Sequence, residues 1–265
     1  EKFVYRKAAY LFVVTQGARA NLIGKGVPPS KVSVMPHWID ELAFARDDPD
    51  RRASVRRERG WEGRFVVMFA GNMGIVQGLD QVVKAAGELK EVEDVLIVFV
   101  GDGADKRRLV DLAAEAGLAG TVQFLNRVPA DSMPDLMAAA DTLLVHLKYS
   151  QLSEYIIPSK TYAYLAAGKP ILMAMRGAAA DLVSESQAGV VLPPENPAFL
   201  GEAILRLRAL PESERARLGM NGRRFLEARF SKKDVLSQYE KKLRDHSLSE
   251  APAAKSETHA TIDTH

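Results

Sequence analysis

A chain of 265 residues with a formal net charge of +2 and a charged fraction of 26% lacks the strong basicity of a dedicated nucleic-acid binder. Its apolar fraction of 47% suits an ordinary globular protein. With no cysteine, disulfide frameworks and thiolate metal sites are excluded and a reducing compartment is expected. No apolar run approaches the ~20 residues of a membrane span, and no stretch reads as a signal peptide.

In chain order, Glu1–Ala9 reads as a helix without its natural packing partners, in a chain whose start at Glu1 suggests a fragment of something longer. Apolar runs at Tyr10–Val14 and Lys31–Met35 read as buried strands and close a βαβ unit at Pro36-His37-Trp38-Ile39-Asp40. Residues 1–39 are therefore read as the last βαβ piece of a preceding domain. Residues 40–60 form a linker and an Arg-rich helix opened by Asp47-Asp48-Pro49-Asp50.

Residues 61–230 carry further apolar runs at Phe65–Ala70, Val95–Val100, Val122–Leu125, Thr142–Val145, Pro170–Met173 and Gly189–Leu192. Helical periodicity fills the intervals at Leu79–Leu89, Lys106–Ala116 and Met133–Ala140. Continuous apolar strands alternating with helices predict an α/β domain, a Rossmann-like doubly wound parallel sheet covered on both faces. Basic helical patterns follow at Pro197–Leu210, Glu212–Arg229 and Ser231–Arg244. The end, 247–265, has little to bury and is expected to be disordered.

Ligands of such folds sit beyond the carboxyl ends of the strands, which directs attention to those loops. The first holds Gly71, Asn72, Gly74 and Gln77, where glycines allow close backbone approach to a phosphate or simply a tight turn. Its glycine spacing is neither a Walker A loop nor a dinucleotide fingerprint, which argues against a nicotinamide dehydrogenase. The second holds Gly101, Asp102 and Gly103, with Asp102 suited to a ribose hydroxyl or to capping the next helix. Arg127 and Val128 follow the third strand, where the guanidinium suits a phosphate or a base but also nearby backbone. After the fourth, Glu154 offers a carboxylate to sugar hydroxyls. His37 and His146 lack a visible acid–base partner and read as structural.

The run from Ile157 to Pro170 is the most informative. Pro158-Ser159-Lys160 opens a short Ala-rich helix that Gly168-Lys169-Pro170 stops before a strand, with Ser159 as its expected cap. Unpaired N–H groups and partial positive charge at a helix start attract phosphate, and Lys160 adds a full cation. A plain capped core helix is the alternative for this stretch alone.

The ordered series Val34-Met35-Pro36-His37-Trp38-Ile39-Asp40, Phe69-Ala70-Gly71-Asn72, Val100-Gly101-Asp102-Gly103, Phe124-Leu125-Asn126-Arg127-Val128 and Ala166-Ala167-Gly168-Lys169-Pro170 resembles the retaining family 4 glycosyltransferases of the glycosyltransferase B fold. The likeness covers nearly everything from Tyr10 to Tyr239 and is closest to the bacterial branch that builds surface polysaccharides. It implies that 61–230 is the donor-binding domain, that 1–39 ends a truncated acceptor domain, and that 231–246 is the helix crossing back to it. It also implies transfer, with retention and no required metal or other cofactor, from a nucleoside-diphosphate sugar such as a UDP-sugar to a saccharide or lipid-linked acceptor. Donor contacts are then expected from Gly71, Asn72, Gly74, Gln77, Gly101, Asp102, Gly103, Arg127, Val128, Glu154, Ile157, Ser159 and Lys160, while the acceptor-side catalytic groups lie outside this chain.

The departures from that pattern matter. Asn72 and Gln77 stand where many relatives carry the Arg and Lys that grip the pyrophosphate. Tyr155 and Ala163 stand where they carry two glutamates, with Glu154 one residue off register. Lys160, assisted by Arg127 or Lys148, is then expected to neutralise the diphosphate, and this chain alone is expected to bind nucleotide but transfer little sugar. Rival readings are a non-catalytic nucleotide-sugar-binding module and a UDP-sugar 2-epimerase of the same fold. The expected location is cytoplasmic. The basic face of Arg206, Arg208, Arg215, Arg217, Arg223, Arg224, Arg229, Lys232 and Lys233 reads as a solvated helix face, with peripheral contact to anionic lipid at the inner membrane face as the alternative.

Overall fold

The computed structural model describes residues 2–44 and 48–249. Two parallel sheets organise the chain. The first pairs β1 (Leu11–Val13) with β2 (Val32–Val34) across helix α2 (Gln16–Gly24), and α1 (Lys2–Lys7) precedes them with no buried residue. Thr15 caps α2 by accepting from the Ala18 amide. The short α3 (Glu41–Phe44) and the charged α4 (Pro49–Arg59) lead into the larger unit. In α4, Asp48 accepts from the Arg51 amide and Gly60 ends the helix in the left-handed region.

The second sheet contains β3 (Phe65–Ala70), β4 (Val95–Val100), β5 (Val122–Leu125), β6 (Thr142–His146), β7 (Ile171–Ala174) and β8 (Gly189–Leu192). Its strand order is β5-β4-β3-β6-β7-β8, parallel throughout. Helices α5 (Leu79–Glu88), α6 (Lys106–Glu115), α7 (Met133–Ala139), α8 (Ser159–Ala167), α9 (Ala178–Glu185) and α10 (Pro197–Ala209) are threaded between or after the strands. This is the doubly wound α/β fold expected from the uninterrupted apolar runs. Every residue of β3 and β4 is buried because helices cover both faces.

Period-two alternation splits the strand side chains between two cores. Val66, Met68 and Ala70 pack with Tyr162, Tyr164 and Leu165 of α8, whereas Val67 and Phe69 pack with Leu79, Val82 and Val83 of α5. Burying each large aliphatic or aromatic side chain contributes about 1.5–3 kcal/mol, so the sheet is the stable frame on which the loops hang.

Two further helices, α11 (Glu212–Phe230) and α12 (Lys232–Ser249), complete the chain. Residues 247–249, expected to be disordered, belong to α12, and the remainder of that stretch, 250–265, lies outside the described residues. Several basic groups of α10, α11 and α12 are engaged within the protein. Arg208, Arg217, Arg229 and Lys232 pair with Asp94, Glu214, Glu185 and Asp40. Arg215 and Arg223 donate to backbone carbonyls of Leu210, Ala166 and Phe44. Among the described residues no helix is long and apolar enough to cross a membrane.

Strand order reverses between β3 and β6, where successive connections leave in opposite directions and open a crevice at the carboxyl edge. These strands pair only at Val67–Thr142 and Met68–Leu143. Ala70, at the end of β3, is left without a β6 partner. The buried Tyr164 hydroxyl takes that place, accepting from the Ala70 amide at 2.8 Å and donating to its carbonyl at 3.3 Å. Burial pushes the Tyr164 phenol above its ordinary pKa, which keeps it neutral and able to do both.

Candidate functional site

The loops beyond β3 and β4 interlock through their backbones. The Gly71 amide donates to the Val100 carbonyl at 2.9 Å, Met73 to Asp102 at 2.7 Å, and Asp105 to Met73 at 2.9 Å. Gly101 has φ +137°, and a Cβ there would lie 2.1 Å from the Gly71 carbonyl oxygen. Only glycine permits both the angle and the approach.

Two clefts flank this backbone knot and share Gly71 and Asn72. One, of about 500 Å³, is lined by Gly101, Asp102, Gly103, Arg127, Val128 and Met133. The other, of about 590 Å³, is lined by His37, Trp38 and Ile39 from the segment after β2, by Gln77, and by Pro158, Ser159, Lys160, Tyr162 and Ala163 of α8 and its approach. Asp102 is the single carboxylate in either lining, and it already accepts from the Gly103 amide at 2.8 Å. Among the described residues no group of three or more acidic or histidine side chains converges to hold a metal ion.

Lys160 lines the larger cleft and approaches Gly71, which the two clefts share. It rises from the first turn of α8, on one side of the sheet, and reaches over the carboxyl edge to Phe69, whose ring belongs to the opposite core. Its Nζ lies 3.6 Å from the Phe69 ring centroid and 2.9 Å from where a Cβ on Gly71 would sit. Among the described residues the ammonium has the aromatic face and no carboxylate. Burial alone pulls its pKa down to about 7.

The sequence-predicted residues divide accordingly. Gly71, Asn72, Gln77, Ser159 and Lys160 meet in the larger cleft, and Gly71, Asn72, Gly101, Asp102, Gly103, Arg127 and Val128 in the smaller. Gly74, Glu154 and Ile157 line neither. Gly74 binds the Gln77 side chain, whose Oε1 accepts from its amide at 3.0 Å. Glu154 accepts from the Tyr149 hydroxyl at 3.1 Å, and its backbone packs against Gly177. Ile157 packs on the α8 side of the core. Ser159 is the first residue of α8 rather than its cap, and Pro158 precedes it with no capping side chain. Asp102 does not cap α6, which starts at Lys106. Lys148 stands against Gly78 and lines neither cleft.

His146 is a structural tie. Its Nδ1 lies 2.6 Å from the Gln77 carbonyl, an acceptor, which fixes the proton there, and Nε2 accepts from the Glu195 amide at 3.4 Å. Burial lowers its pKa, so the neutral ring links the end of β6 to the loops after β3 and β8. Sequence reasoning did not assign Trp38, Tyr162 or Pro158 to a site. The one available signal was an aromatic beside Pro36 at the end of an apolar strand. Tyr162 is buried, with its phenol pushed up to about 12, and its ring meets His37 edge-on at 6.1 Å.

A family model described as glycosyl transferases group 1 matches residues 51–225. The chain belongs to this family. A curated relative, the alpha-D-kanosaminyltransferase of Streptomyces kanamyceticus, is 24% identical over 233 residues, which is 87% of this chain and 59% of that protein. Among solved structures, Anabaena Alr3699/HepE in complex with UDP-glucose superposes with a TM-score of 0.81 at 21% identity, covering 92% of this chain and 66% of that one. WaaG, a glycosyltransferase involved in lipopolysaccharide biosynthesis, gives a TM-score of 0.71 at 21% identity, covering 91% of this chain and 63% of that one. The chain therefore spans little more than half of the curated relative. Within the family pattern, Ala163 faces the larger cleft, whereas Tyr155 is turned to the β1–β2 unit, its carbonyl accepting from Thr15 Oγ1 at 2.6 Å.

Proposed function

We propose that this chain carries the donor site of a retaining glycosyltransferase that moves a sugar from a UDP-sugar to a saccharide or lipid-linked acceptor in surface-polysaccharide synthesis. Residues 61–230 bind the donor in this reading, residues 1–39 end an acceptor domain, and α12 crosses back to it. The nucleoside occupies the cleft of Gly101, Asp102, Arg127 and Val128. The diphosphate lies at Gly71 and the start of α8. The observation that carries the reading is Lys160, a desolvated lysine with no carboxylate partner among the described residues, lining the larger cleft beside Gly71, which both nearly acid-free clefts share.

Such a site acts on the leaving group. As the glycosidic bond breaks, negative charge grows on the diphosphate, and an ammonium plus helix-start amides already in position lower the barrier. The match to WaaG and to a UDP-glucose complex of HepE supports a nucleotide-sugar donor and a polysaccharide role. A cytoplasmic location agrees with a nucleotide-sugar donor. Membrane contact through the C-terminal helices is not part of the proposal: Arg208, Arg217, Arg229 and Lys232 are paired with carboxylates of the protein itself. A second reading, donor binding without turnover, is favoured by Ala163 standing where relatives carry a glutamate.

Calorimetry with UDP, GDP and UDP-sugars tests the proposal. UDP binding is expected, and Lys160→Ala should weaken it about 10- to 100-fold, the worth of a charge-assisted hydrogen bond of about 1.5–3 kcal/mol. Unchanged affinity in the variant would overturn the role of Lys160. Sugar transfer by the chain alone would exclude the binding-only reading.

A further inference from the structure

Trp38 is an unusual residue to leave in the open. Its side chain is 43% exposed at the wall of the larger cleft, next to His37 and Ile39 and in the same lining as Lys160. It is also held in position. Lys232 of α12 sets its ammonium 5.1 Å from the indole ring, and that ammonium is anchored 3.4 Å from Asp40 Oδ2. The Lys232 amide is itself 3.3 Å from Glu41 Oε2. The indole is thus braced by α12 while much of its surface stays open beside the cleft.

We infer that Trp38 is the platform on which the hexose ring of the donor stacks, positioning the sugar beyond the diphosphate. The inference rests on the donor-site reading and adds the residue that recognises the sugar itself. A pyranose presents one face of C–H groups with partial positive charge, and the face of an indole carries negative quadrupole density, so the two attract and both shed water. The remaining lining matches a neutral, hydroxyl-rich ring. Asn72, Gln77 and Ser159 are uncharged polar groups, and this cleft contains no carboxylate. A rigid aromatic also costs little ordering entropy on binding, unlike a flexible polar chain.

The chain has two tryptophans, and the second reports on nothing here. Trp61 is fully buried and donates from Nε1 to Gln123 at 2.7 Å. Emission changes caused by a ligand in the cleft therefore come from Trp38. The test compares UDP with UDP-glucose, UDP-galactose, UDP-N-acetylglucosamine and UDP-glucuronic acid, by calorimetry and tryptophan fluorescence, for the whole chain and its Trp38→Ala and Trp38→Phe variants.

At least one UDP-sugar is expected to shift the emission more than UDP does. Trp38→Ala should weaken that sugar nucleotide about three- to tenfold while changing UDP less than twofold, and Trp38→Phe should recover most of the loss. A general structural defect would instead weaken UDP and UDP-sugar alike. If UDP binds but no UDP-sugar gains from Trp38, the stacking inference fails and the donor site stands. If UDP itself does not bind, the donor-site reading fails and takes this inference with it.

Discussion

Lys160 Nζ stands 3.6 Å above the Phe69 ring, in the volume that a side chain on Gly71 would claim. An ammonium held between an aromatic face and a glycine, away from carboxylates, is costly to the resting protein. That cost has measurable consequences for stability and for binding.

Replacing Lys160 by Met, similar in length and uncharged, should raise Tm at pH 6.5 by about 2–4 °C, corresponding to about 1 kcal/mol. The sign follows from proton linkage. The folded lysine titrates at about 7 and the unfolded one near 10.5, so between these values the unfolded chain holds more protons and wild-type stability climbs with pH. The advantage of the variant is full below about pH 7 and fades toward pH 10.5. Thermal melts across that range check it, and a variant advantage that grew with pH would refute the assignment.

Ligand binding should reverse the balance. A diphosphate restores the charged lysine, so UDP binding at pH 8 should take up protons, and affinity should fall as pH rises beyond about 7. Calorimetry in buffers of different ionisation enthalpy measures the uptake. It should vanish in Lys160→Met.

Gly101→Ala should destabilise the protein by about 2–4 kcal/mol and abolish UDP binding. The new methyl would carry a φ of +137° and meet the Gly71 carbonyl oxygen at 2.1 Å, prising apart the two loops that define both clefts. Chemical denaturation and UDP titration on the same sample read both effects. A stable variant that still binds UDP would show the knot to be dispensable.

His146→Gln should cost about 1–3 kcal/mol at pH 7.5, because it unpairs the Gln77 carbonyl or the Glu195 amide. Burial keeps the folded imidazole below its ordinary pKa of 6.5, so the unfolded chain binds the extra proton and the wild type loses stability as pH falls below about 6.5. The variant should lack that component of the acid slope. Denaturation midpoints between pH 5 and 7.5 provide the comparison.

The strands were legible along the chain because a run such as Phe65–Ala70 or Val95–Val100, apolar at every position, fits a parallel sheet covered on both faces. The glycines at 71, 101 and 103 marked the loops because few other residues serve a tight turn after a buried strand. Candidate side chains were less legible. Gln77 and Glu154 looked free in sequence, yet the first folds onto the Gly74 amide and the second accepts from Tyr149. A polar side chain near its own backbone has partners that no motif reveals.

The sequence by itself determined which segments are strands, which are helices, and that glycine-rich turns and the Pro158-Ser159-Lys160 helix start lie in loops beyond strands. Those are properties of local periodicity and local backbone freedom. Only the tertiary structure decided that the strand order reverses between β3 and β6, that Tyr164 fills the gap beside Ala70, and that Lys160 crosses the sheet edge to Phe69 while Trp38 remains open. Pairing and desolvation depend on groups far apart in the chain, and a lysine acquires a pKa of about 7 only when the surrounding fold has removed its water.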